Sequence, residues 1–64
     1  SDDFGVVGAE KTSVYSGIGK DNVKLFVLHE GTEVVLKDIH QNGWVRIEVD
    51  QTKKGWMKKE DLIF

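Results

Sequence analysis

Three aromatic side chains, Tyr15, Trp44 and Trp56, are the residues of this chain best suited to hold a ligand. Tyrosine and tryptophan join a large apolar face to one polar hydrogen, and such side chains dominate binding hot spots where they stay at a surface. Each falls on the outward parity of a short strand-like alternation. Capping the open ends of a small barrel is the plainer use of the same rings. Three acids, Glu33, Glu48 and Asp61, are candidate neighbours that would favour a cationic ligand.

The residues that could do covalent chemistry are less persuasive. The chain has two histidines and eleven carboxylates, with several hydroxyls. A catalytic triad is recognised by geometry and not by composition. His29 and His40 both fall in turn-like stretches, where polar residues belong anyway. A non-catalytic protein is expected. His29, Glu30 and His40 also lack any metal-ligand spacing, and no cysteine is present, so no metal or other cofactor is expected.

Lys53, Lys54, Lys58 and Lys59 crowd together near the C-terminal end of the sequence. Lysine clusters can attract phosphate polymers by releasing counterions. Asp50, Glu60 and Asp61 lie nearby and dilute their field, so a solvated, edge-guarding role is the expectation. The formal net charge is −2, with both signs scattered along the chain. No nucleic-acid partner is expected.

Sixty-four residues make one domain, 1–64. A chain of this size buries only about 60% of its unfolded surface. The absence of cysteine excludes disulfides and leaves the compartment open. No apolar run approaches the ~20 residues that span a bilayer, so this segment is not expected to insert in a membrane. The sequence opens on Ser1-Asp2-Asp3 without a methionine or signal peptide, which suggests a linker end and a domain cut from a longer chain.

The elements that must position the aromatics read as short strands. In Gly43–Val49 the residues Val45, Ile47 and Val49 alternate with Trp44, Arg46 and Glu48. Alternate side chains share a face, so the β-branched set points inward. Asp50–Lys53 is a polar turn, and Gly55 marks a bulge or close approach at the start of the return strand. Met57 is then expected inward and Trp56 across the barrel edge. Earlier, Phe4–Ala9, Glu10–Ser16, Val23–Leu28 and Glu33–Ile39 read as strands, with Val14 inward and Tyr15 outward. Gly17–Asn22 is a loop, Glu30-Gly31 a turn, and His40–Gly43 a hairpin turn carrying the Asn-Gly signal. Lys59-Glu60-Asp61 suits one helical turn before a final strand, Leu62–Phe64. The expected fold is all-β, a small, partly open barrel of five to six short strands.

Four motifs in order resemble those of the bacterial SH3-like (SH3b) domains. They are Thr12–Ile18, Gly31-Thr32-Glu33-Val34, Gly43-Trp44-Val45-Arg46-Ile47 and Gly55-Trp56-Met57. The likeness runs from about Val6 to Leu62. Leu25–Val34 is further similar to the SH3 domain that ends the tetratricopeptide-repeat Bat proteins of Bacteroidetes, which are called aerotolerance-related. There are departures too. Ser13, Tyr15 and Ile18 replace the Asn, Arg and Pro of the first motif. Lys58 and Asp61 stand where peptide-binding SH3 domains carry a groove proline and tyrosine.

The resemblance implies an SH3-like barrel whose groove includes Trp44, with Tyr15 replacing a groove aromatic and Trp56 and Asp61 beside it. One aromatic wall is missing, so ordinary polyproline binding is not expected. Two functions follow from the family. One is a protein or peptide interaction module within a larger envelope-associated protein. The other is a module that targets peptidoglycan for a hydrolase. A third use, packing against the rest of a parent chain, would need no separable ligand. An envelope or periplasmic setting is implied by the resemblance alone.

Overall fold

The computed structural model describes residues 3–18, 22–39 and 42–64. Seven strands form one antiparallel sheet: β1 (Asp3–Val7), β2 (Lys11–Tyr15), β3 (Lys24–His29), β4 (Glu33–Ile39), β5 (Trp44–Glu48), β6 (Lys54–Lys58) and β7 (Leu62–Ile63). Their spatial order is β3-β2-β6-β5-β4-β1-β7. The expected all-β barrel is present, with seven strands against the five to six anticipated and the expected last strand, β7, paired with β1. A single 3₁₀ turn, Lys59–Asp61, precedes β7 as expected. Among the described residues, no helix is long and apolar enough to cross a membrane.

The sheet rolls around one core of Val7, Val14, Leu28, Val34, Val45, Ile47, Met57 and Leu62, with Phe26, Leu36 and Val49 packed against it. In β5 and β6 the inward set follows the alternation of the sequence. Val45 faces Met57, and Ile47 faces Gly55 across the pair. Asp50 closes the hairpin turn by accepting from the Thr52 N–H, the Thr52 hydroxyl and the Lys53 N–H at 2.8–2.9 Å. An aspartate that bonds the backbone two and three residues on is a standard way to fix a short turn.

Two register shifts depart from simple alternation. Between Leu36 and Asp38 the pairing of β4 with β5 slips, leaving Lys37 as the extra residue of a bulge. Its ammonium reaches Glu48 at 3.1 Å. The second shift lies between Val14 and Tyr15, where Tyr15 pairs with Lys24 and Leu25 is passed over. Bulges bend the strand and increase its twist.

Two glycines fix how the ends meet. A Cβ on Gly55 would lie 2.6 Å from the Tyr15 carbonyl oxygen and 2.7 Å from Val14 Cγ1. Only a residue without a side chain lets β2 approach β6 so closely. Gly43 has φ +81°, a left-handed conformation that costs other residues strain. Its carbonyl accepts the Lys59 N–H at 2.8 Å, tying the entry of β5 to the 3₁₀ turn.

Candidate functional site

The site forms on the outer face where β2, β6 and β5 lie side by side. Tyr15 stands opposite Trp56 in register, and Trp56 stands opposite Arg46. Two residues further along β6, Lys58 stands opposite Trp44. Opposed residues in an antiparallel pair share a face, so all of these side chains leave the barrel on the same side. Tyr15 and Trp44 then meet over β6, edge to face, with ring centroids 5.8 Å apart and planes at 76°. Both rings are half-buried. This T-shaped geometry suits the aromatic quadrupole.

Depressions flank the pair. On the Trp44 side, Asn42, Gly43, Trp44, Lys58, Lys59, Glu60 and Phe64 line a cavity of about 470 Å³. The link between Gly43 and Lys59 holds its two walls together, and the Lys59 ammonium lies 5.7 Å from the centroid of the Phe64 ring. On the Tyr15 side, a smaller hollow of about 170 Å³ is lined by Lys11, Thr12, Ser13, Tyr15, Lys58 and Asp61. Lys58 borders both. The two hollows share Lys58 as a wall and, with the Tyr15–Trp44 pair between them, make up the candidate groove.

Asp61 has a second occupation. Its Oδ2 accepts the hydroxyl of the buried Thr12 at 2.7 Å, and its carbonyl accepts the Gly8 N–H at 2.9 Å. Those bonds clamp the 3₁₀ turn to β2 and to the link that follows β1, while one side of the residue lines the groove. Trp56 shares the outer face with Tyr15 but borders neither hollow. Its place opposite Arg46 puts it further along the strand, toward the wall of the barrel.

No family model, curated protein or solved structure matches the chain. Of the acids expected near the aromatics, only Asp61 is there. Glu48 sits at the far end of β5, where Lys37 and Lys54 hold it at 3.1 and 3.5 Å. The hydrogen bond from Lys37, with both lysine charges, keeps its carboxyl below the ordinary value of 4.5 despite some desolvation. Glu33 pairs with Val6 at the opposite edge of the sheet.

The lysine cluster is likewise divided. Lys54 and Lys58 begin and end β6, roughly 13 Å apart at ~3.3 Å per residue. Lys53 ends the hairpin turn and Lys54 opens β6 beside it, whereas Lys58 and Lys59 border the groove. His29 ends β3, exposed and opposite Lys11, and His40 lies outside the described residues. Among the described residues, no three of His, Asp and Glu converge as a metal site would require.

Sequence reasoning missed Lys11, Asn42, Lys59, Glu60 and Phe64 as groove residues. The Gly-Trp motif pointed to the right strand. The wall opposite it comes from the 3₁₀ turn and the chain beyond β7, and only the tertiary fold brings these together.

Proposed function

We propose that this chain is a non-catalytic binding module of the SH3b kind, and that it takes an extended peptide segment of a partner protein in the Tyr15–Trp44 groove. The observation that carries the reading is the edge-to-face pair itself, 5.8 Å between ring centroids and half-exposed, with Trp44 lining a cavity of about 470 Å³ and Tyr15 a hollow of about 170 Å³. Pockets of a few hundred cubic ångströms with aromatic walls suit one or two ligand side chains. Gly43-Trp44 and Gly55-Trp56 each stand at the entry of a strand of the central hairpin, in keeping with the SH3b resemblance. An envelope-associated parent protein is the setting this resemblance suggests.

Recognition of peptidoglycan is the second reading, because a half-exposed tryptophan also stacks on sugars. The test is a titration of the ¹⁵N-labelled chain, in separate series, with muropeptide fragments and with a mixture of capped peptides. Peptides are expected to shift the Trp44 indole and the Tyr15 amide while muropeptides leave them in place. Shifts with muropeptides alone would replace the first reading by the second. Silence in both series would leave the aromatic pair as a structural cap.

A further inference from the structure

We propose that the groove selects acidic peptides, taking an apolar side chain beside Trp44 and the neighbouring carboxylate on Lys58. The inference rests on the groove being the binding site. Its first support is where the charges stand. Lys11, Lys58 and Lys59 border the groove against Glu60 and Asp61, an excess of cations in a chain whose formal net charge is −2.

The second support is which of those charges are already answered. Both ion pairs among the described residues use Glu48, with Lys37 and Lys54. Among the described residues, Lys11, Lys58 and Lys59 therefore have no carboxylate within ion-pair distance. On the other side of the balance, half-buried Asp61 already accepts the Thr12 hydroxyl at 2.7 Å. Asp61 keeps its negative charge and Lys59 lies over the Phe64 ring at 5.7 Å, so the cations left open to a ligand are Lys58, at the junction, and Lys11.

The third support is the order of chemistry along the groove. Trp44 and Phe64 offer apolar surface to the cavity, and Lys58 stands at the junction of the two hollows. A peptide with an aliphatic or aromatic residue next to Asp or Glu would fill the first and pair with the second. A basic peptide would bring like charges to Lys58 and Lys59, and charge mismatch of this kind suppresses wrong partners.

The test is to pan a phage-displayed library of random peptides in parallel against the chain, Trp44→Ala and Lys58→Glu. Lys58 is exposed, so its reversal leaves the core intact even if Trp44→Ala impairs folding. Enriched peptides are expected to be net acidic, with an apolar residue beside the acid, and to be lost on both variants. A synthetic enriched peptide should bind about fivefold more weakly when its acid is replaced by the amide, the range of an exposed ion pair. Neutral or basic peptides, enriched on the wild type and lost on Trp44→Ala, would overturn the acidic selectivity while leaving the groove. Enrichment indifferent to both variants would overturn selectivity and groove together.

Discussion

At the scale of single residues, two carboxylates outside the groove, Glu48 and Asp50, are held in surroundings that favour their charged form. Glu48 is held by Lys37 and Lys54, and its carboxyl lies below its ordinary value chiefly through the Lys37 hydrogen bond. Asp50 is lowered chiefly by the Thr52 N–H, then by the Thr52 hydroxyl and, more weakly, by Lys53. A carboxylate with a depressed folded pKa binds fewer protons when folded than when unfolded. Its stabilisation is therefore present above the ordinary carboxylate range and fades as pH falls through the folded value. Urea midpoints are expected to fall between about pH 5 and pH 3. The double variant Glu48→Gln, Asp50→Asn should start lower at pH 7 and descend less steeply. An equally steep descent in the double variant would place the acid sensitivity elsewhere.

At the scale of elements, the hairpin of β5 and β6 shows what the sequence could and could not convey. Val45, Ile47 and Met57 are fully buried, as their alternation demands, because period two is the one geometric constant of a strand. Asn42-Gly43 and Gly55 were legible for the same local reason: each is a glycine where a side chain would be strained or obstructed. The bulges were not legible. Nothing in Val35-Leu36-Lys37-Asp38 announces an extra residue, since that depends on how far β4 must curl against β5. The grouping of Lys58 and Lys59 apart from Lys54 was hidden likewise, because sequence distance ignores strand length. Gly55→Ala tests the element directly. Its methyl would press on the Tyr15 carbonyl and Val14, an overpacking expected to cost about 1–3 kcal/mol. Moving β2 outward should also separate Tyr15 from Trp44, read as a loss of near-ultraviolet dichroism. A stable variant with unchanged aromatic dichroism would show that β2 does not depend on this close approach.

At the scale of the whole molecule, every fully buried side chain belongs to one cluster, drawn from β1, β2, β4, β5 and β6. No second core exists among the described residues to hold part of the barrel folded alone. Unfolding should therefore be two-state, and the two tryptophans should report the same transition as backbone dichroism. The core is also small, so each member matters: Met57→Ala removes a side chain with no exposed surface and should cost about 2–5 kcal/mol. Against a total stability of roughly 5–15 kcal/mol for such domains, that loss moves the urea midpoint far. Phe4→Ala is the control. Phe4 is as large a hydrophobe but 56% exposed on the outer face of β1, and the change should stay near 0.5 kcal/mol. Comparable losses for the two would mean that the outer face of β1 is covered in the folded protein. Separate tryptophan and dichroism transitions would mean that the hairpin bearing Trp44 and Trp56 opens before the rest of the sheet.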